Sequence, residues 1–233
     1  MLEPVVNVPW LRAQRDEVVL VDVRWYLDGR SGRDAYLAGH IPGAIWADLD
    51  TALSAPPSTE GGRHPVPAPD AFADALGNLG ITNDATVVAY DDNGGAYAAR
   101  LVWLLRVLGQ SAALLDGGLQ AWQGGLEQGH AELPPVPRDV VAWPENVFRT
   151  ADEIEKAAIL LDARAPERYS GESVLPSDVR SGHIPGAVNA YWGRNLDEDN
   201  TFAAPEQLRA HYGALGVTSG SDVTVYCGSG VTA

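Results

Sequence analysis

A chain of 233 residues with 16 Lys and Arg against 31 Asp and Glu carries a formal net charge of −15, which excludes a broad basic face for nucleic acid or for an anionic membrane. With 45% hydrophobic and 20% charged residues it holds enough apolar surface to fold around a core. No apolar run approaches the roughly 18–20 residues of a membrane span, and Met1-Leu2-Glu3-Pro4 lacks a basic-then-apolar start, so the sequence predicts a cytoplasmic protein with neither spanning helix nor signal peptide.

In chain order, Val18 to Val21 is a short apolar run ending in Asp22 and reads as a buried strand. Pro69 sits where the first turn of a helix tolerates proline. The β-branched run Thr86-Val87-Val88-Ala89-Tyr90, entered from a polar turn, predicts another strand. Leu101, Leu104, Leu105 and Leu108 mark one face of a helix over about 96–108, stopped by Gly109. Residues 112–115 predict a strand, and Asp116-Gly117-Gly118 a turn. Pro134, Pro135 and Pro137 stiffen a linker. Beyond it, Thr150 with Glu153 forms a capping box for a helix over 151–158. Residues 159–161 and 223–226 predict strands, and Pro205 opens a helix between them.

Two stretches of this order are copies of one another. Gly39-His40-Ile41-Pro42-Gly43-Ala44 returns 143 residues later as Gly182-His183-Ile184-Pro185-Gly186-Ala187, and Leu20-Val21-Asp22-Val23-Arg24 returns after 140 as Leu160-Leu161-Asp162-Ala163-Arg164. Ala68-Pro69-Asp70 and Leu79-Gly80-Ile81 return after 136 as Ala204-Pro205-Glu206 and Leu215-Gly216-Val217. Order is kept, the offset drifts as loop insertions make it drift, and the period is far too long for a solenoid. The predicted fold class is α/β, with two like domains that are each a mainly parallel sheet flanked by helices. The first spans 1–130, a Pro-rich linker 131–145, and the second 146–233.

The copies differ at one loop. Tyr90-Asp91-Asp92-Asn93-Gly94-Gly95 aligns with Tyr226-Cys227-Gly228-Ser229-Gly230-Val231, so the one cysteine of the chain directly follows a strand and opens a loop with two glycines. Ligands of open α/β sheets bind at the carboxyl ends of strands. Glycines let successive N–H groups turn inward as a nest that favours thiolate over thiol. A lone cysteine elsewhere is a small core residue; this position points instead to a nucleophile. One cysteine and five histidines without paired ligand spacing predict no metal and no cofactor.

Cys227-Gly228-Ser229-Gly230-Val231-Thr232-Ala233, the repeated Gly-His-Ile-Pro-Gly-Ala and the Asp116-Gly117-Gly118 turn together resemble the tandem-domain sulfurtransferases of the rhodanese superfamily, over nearly the whole chain. The resemblance implies an inactive first rhodanese-like domain, with Asp91 in the nucleophile position, and a catalytic second one in which Cys227 carries a persulfide. It implies a small anionic donor, thiosulfate or 3-mercaptopyruvate, and a cyanide or thiol acceptor. Gly228, Gly230, Val231 and Thr232 would bind the donor, Ser229 would hydrogen-bond or relay protons beside Cys227, and Asp50 and His64 match positions that line the site. The Gly-Ser-Gly loop is similar to that of mercaptopyruvate enzymes, but Ser170 and Ser177 stand where those enzymes carry arginines, and Arg180 or Arg194 is expected to substitute. His40, His183 and the pairs Asp22–Arg24 and Asp162–Arg164 occur in both copies and are read as structural.

Phosphatases and arsenate reductases with Cys-x5-Arg also use a cysteine after a strand, yet the sixth residue after Cys227 is Ala233, and the oxyanion-gripping arginine cannot be spared. The alternative is a non-catalytic tandem module that binds or senses sulfur. The first copy continues past its loop through a helix, a strand and a turn, whereas Ala233 aligns with Tyr97. The expectation is a second domain incomplete at its C-terminus and a separate fragment that completes it.

Overall fold

The apolar runs of the first half pair as a parallel five-stranded sheet in the computed structural model, which describes residues 2–176 and 180–233. The chain divides into two units between Pro144 and Glu145. The first unit runs β1 (Val5–Val6), α1 (Val8–Ala13), β2 (Val18–Asp22), α2 (Gly32–Ala38), β3 (Ile45–Trp46), α3 (Pro69–Asn78), β4 (Thr86–Tyr90), α4 (Ala98–Val107), β5 (Ala112–Leu115) and α5 (Gly118–Ala121). Its sheet order is β1-β5-β4-β2-β3. Leu20 and Val21 on β2 and Val87 to Tyr90 on β4 are buried, as continuous apolar runs require when both faces of a parallel sheet are covered. On α4, which packs on β4 and β5, Leu101, Leu104 and Leu105 are buried. Each contributes roughly 1.5–3 kcal/mol by leaving water.

The second unit repeats the same order with fewer elements: β6 (Ile159–Asp162), α6 (Pro166–Ser170), β7 (Val188–Asn189), α7 (Pro205–Ala214) and β8 (Val223–Tyr226), in a parallel sheet of order β7-β6-β8. Among the described residues β8 pairs on one side only, and Val225 is 42% exposed where its counterpart Ala89 is fully buried. The helix expected over 151–158 is instead a 3-10 helix, Ala151–Lys156. Its capping box does form, with Thr150 N donating to Glu153 Oε2 at 3.0 Å, but β6 begins at Ile159 and leaves no room for a further turn. Residues 131–144 lie strapped to the first unit. Arg138 donates to the carbonyls of Ile81 and Thr82, Val136 N to Gly77 O, and Trp143 Nε1 to Pro67 O. No helix among the described residues is long and apolar enough to cross a membrane.

One hydrogen-bonded circuit recurs in both units. Asp22 at the end of β2 holds Arg24, whose Nη2 reaches Asp22 Oδ2 at 2.7 Å and Gly39 O at 2.8 Å. Asp162 holds Arg164 in the same way, and Arg164 Nη2 reaches Gly182 O at 2.7 Å. Strand register sets Asp22 opposite Tyr90 and Asp162 opposite Tyr226, and these phenol oxygens accept from Ile41 N and Ile184 N at 3.0 Å. His40 stacks on Tyr36 and His183 on Tyr169, with centroids 4.1 and 3.8 Å apart. Each imidazole Nδ1 bonds the carbonyl of its own tyrosine, and each tyrosine hydroxyl donates to Ala44 or Ala187 O at 2.8 Å. The two histidines and both ion pairs therefore shape the turn after the helix, as their repetition implied.

Burial pushes the Asp22 carboxyl up in spite of Arg24. At Asp162 burial acts the same way, but the hydrogen bonds from half-buried Arg164 outweigh it and hold the carboxyl below its ordinary value. Asp22→Ala, which strands a buried guanidinium, is expected to cost about 3–5 kcal/mol in urea unfolding, and Asp162→Ala less, because Arg164 is nearer to water. A depressed carboxylate stabilises above its unfolded pKa and loses that contribution as pH falls through the folded one. The gap between wild type and Asp162→Ala should close as pH drops below the ordinary carboxylate range, about 3.9.

Candidate active site

In the first unit β4 delivers Asp91 into a loop that folds around its carboxylate. Oδ1 accepts from the N–H of Asn93 and Gly95, both at 2.8 Å, and Oδ2 from Tyr97 at 2.8 Å and Ala98 at 2.9 Å. Gly94 at φ 63° and Gly95 at φ 85° make the turn that aims these donors inward. Asp91 is fully buried, and burial pushes its carboxyl up while the four donors oppose that shift. The Asp116-Gly117-Gly118 turn braces the loop from outside. Leu119 N donates to Asp91 O at 2.9 Å, and a Cβ on Gly118 would fall 2.3 Å from that oxygen. The loop is thus an anion nest filled by a side chain of its own.

The second unit presents the corresponding loop after β8. Cys227 is a half-buried free thiol. Gly230, at φ 74°, repeats the turn of Gly94, and Val231 is buried beneath it. The Arg168 guanidinium, on α6, lies against the Gly228 backbone so closely that a Cβ there would fall 2.9 Å from Nη2 and 3.3 Å from Nη1. Sequence reasoning missed Arg168. The signal lay in the comparison of copies: Tyr36 and Tyr169 occupy the same place in the repeated circuit, and the residue before each is Ala35 in one and Arg168 in the other.

The other expected site residues fall in different places. Asp50 and His64 meet within the first unit, Nε2 to Oδ1 at 2.9 Å, and Trp25 Nε1 donates to Asp50 Oδ2 at 3.0 Å. Trp25 is a second residue that the sequence did not single out. Ser229 and Thr232 are half-buried, and Gly228 and Gly230 exposed, in the Cys227 loop. Arg180 is exposed. Arg194 lines a separate cleft of about 360 Å³ with Asp197, Gln207 and His211, and no residue of the Cys227 loop borders it. Ser170 closes α6 with its hydroxyl donating to Glu167 O at 3.2 Å, and Ser177 lies outside the described residues. No group of three or more His, Cys, Asp or Glu suited to a metal ion occurs among the described residues.

Replacing Asp91 by Asn keeps the shape but turns an amide N–H2 toward backbone donors. The expected cost is about 3 kcal/mol, read as a lower urea midpoint for the first unit, and an unchanged midpoint would show that the nest does not need its charge.

Residues 7–124 and 149–233 match the family described as the rhodanese-like domain. A Pseudomonas aeruginosa protein named as a probable 3-mercaptopyruvate sulfurtransferase is 42% identical, over 95% of this chain and 82% of its own. The thiosulfate sulfurtransferase of Bos taurus is 34% identical, over 92% of this chain and 75% of its own. The crystal structure of SseA from Escherichia coli, a 3-mercaptopyruvate sulfotransferase, superposes with a TM-score of 0.82 at 33% identity, covering 99% of this chain and 90% of that one. Two matched copies of one domain, a cysteine loop in the second and an aspartate in its place in the first make this chain a tandem-domain sulfurtransferase that belongs to the rhodanese family.

Proposed function

We propose that the enzyme moves a sulfane sulfur from a small anionic donor, thiosulfate or 3-mercaptopyruvate, to Cys227 and then to cyanide or a thiol. The observation that carries this reading is the Asp91 nest: the same loop, one repeat later, sets a sulfur where the first copy holds a carboxylate by four N–H groups. The Cys227 thiolate attacks the outer sulfur of thiosulfate, the sulfur–sulfur bond to the sulfonate breaks, and sulfite leaves with the electron pair. With 3-mercaptopyruvate the carbon–sulfur bond breaks, and the departing enolate takes up a proton as pyruvate. Cyanide or a thiolate then removes the outer sulfur and returns Cys227 as thiolate.

Backbone N–H groups of Gly228, Ser229, Gly230, Val231 and Thr232 stabilise the charge on sulfur in each step, and the Ser229 hydroxyl adds a donor. Arg168, rather than Arg180 or Arg194, supplies the cation. Its planar fork matches a sulfonate or a carboxylate, and its place against Gly228 supports the role. In a chain of net charge −15, local positive potential from nest and guanidinium has to draw the donor in. The open side of β8 and the exposure of Val225 support a further segment, such as a separate C-terminal fragment, covering that strand.

Cys227→Ser is expected to abolish sulfur transfer with the fold intact, and wild type treated with thiosulfate should gain the mass of one sulfur atom, released by cyanide. Retained turnover in the serine variant would remove Cys227 from the chemistry, and a wild type with neither turnover nor adduct would leave a binding or sensing module. Arg168→Gln should raise KM for both donors roughly ten- to a hundredfold. Gly228→Ala, which displaces the same guanidinium, should raise it less. Steady-state kinetics with both donors checks this, and a KM effect at Arg194 or Arg180 instead would return the role to them.

A further inference from the structure

We propose that the second unit binds an extended segment of another polypeptide along α7, with an arginine at the end of the helix and a tryptophan five residues later in the cleft that Arg194 and His211 line. The first unit carries such a segment in its own chain. Arg138 donates to the carbonyls of Ile81 and Thr82 just beyond α3. Five residues on, Trp143 Nε1 donates to Pro67 O at 2.9 Å, and its ring packs on Phe72 with centroids 5.3 Å apart. Between helix and strap there is no space for a side chain: a Cβ on Gly77 would fall 2.7 Å from Val136 O.

At the offset of 136, α7 keeps the surface that such a strap needs. Both helices end alike. Gly80 N donates to Gly77 O and Ile81 N to Leu76 O, and in the second unit Gly216 N donates to Gly213 O and Val217 N to Tyr212 O, all at 3.0 Å. Gly216, at φ 87°, is required by its own backbone. Gly213 is not: it lies within α7, where alanine is the better helix former, and a Cβ there would meet nothing within 4 Å. A bare position beside open space suits the close approach of a second backbone. Where Trp143 meets Pro67 and Phe72, the counterparts Ala203 and Leu208 border the cleft of about 360 Å³. His211, in the place of Ala75, also lines it, and its Nε2 is buried with no hydrogen-bond partner, so a polar group of the incoming segment completes it. A chain of net charge −15 favours a segment that brings an arginine.

The probe is a fluorescein-labelled peptide of residues 131–144, titrated with the full chain and read by anisotropy. Saturable binding of one peptide per chain is expected. Trp143→Ala or Arg138→Ala in the peptide should weaken it about tenfold or more, comparisons that need no variant protein to fold. Gly213→Ala in the chain should weaken it as much while leaving the urea midpoint equal to or above that of wild type. An absence of binding up to millimolar peptide overturns the proposal, as does binding that Gly213→Ala leaves unchanged. Binding indifferent to Trp143→Ala overturns the place of the tryptophan in the cleft. Self-association of the unliganded chain that Gly213→Ala abolishes would make the occupant a second copy and overturn the partner segment.

Discussion

A buried carboxylate at the end of β2 in the first unit and of β6 in the second, Asp22 or Asp162, fixes what happens at the carboxyl edge of the sheet. Its arginine partner reaches past it to the carbonyl of Gly39 or Gly182, and so ties the strand to the Gly-His-Ile-Pro-Gly-Ala turn. The tyrosine opposite, Tyr90 or Tyr226, accepts from the isoleucine N–H of that same turn. The next residue along the chain is Asp91 in one unit and Cys227 in the other. Cys227 is thus placed by a chain of contacts that begins with a buried ion pair. Such a pair gains little net stability over an apolar core of the same volume; its value here is that it leaves the strand end one position.

The two loops show one scaffold put to two uses. In the first unit the nest encloses its own carboxylate with four N–H donors and is shut. In the second the aspartate gives way to Cys227, which stays half-buried, and Ala35 gives way to Arg168. Under the proposed sulfur transfer both changes act in the same direction. A sulfur that passes through charged states needs donors fixed in advance and a cation for the group that departs, and it needs reach to a reactant. A buried aspartate provides none of this reach. It serves the fold, and Tyr97 of the same loop packs edge-on against Trp25.

Cover also separates the units. β4 lies between β2 and β5 beneath α4 with Val87 to Tyr90 buried, whereas among the described residues β8 pairs with β6 alone and leaves Val225 exposed. Asp162 responds to the thinner shell: its carboxyl lies below the ordinary value while that of Asp22 lies above it, although both hold the same partner in the same geometry. In both, burial raises the carboxyl and its arginine lowers it, and the balance falls on opposite sides.

The sequence by itself determined the period, the parallel α/β class, the strand ends and the place of the cysteine loop after the last strand. Each of these is written in local pattern: apolar runs such as Val87 to Tyr90, repeated hexapeptides, and one cysteine after a strand. The repetition of His40 and His183 was also enough to place them in the turn. Only the tertiary structure decided that Arg168 lies on Gly228, that Trp25 and His64 converge on Asp50, and that residues 131–144 are bound to the first unit. These contacts join side chains to groups far away in the chain, and such contacts leave no period in the residues that make them. The 3-10 helix at Ala151–Lys156 has a similar cause. Its cap was legible, but its length was set by where β6 had to begin to meet β8 in register.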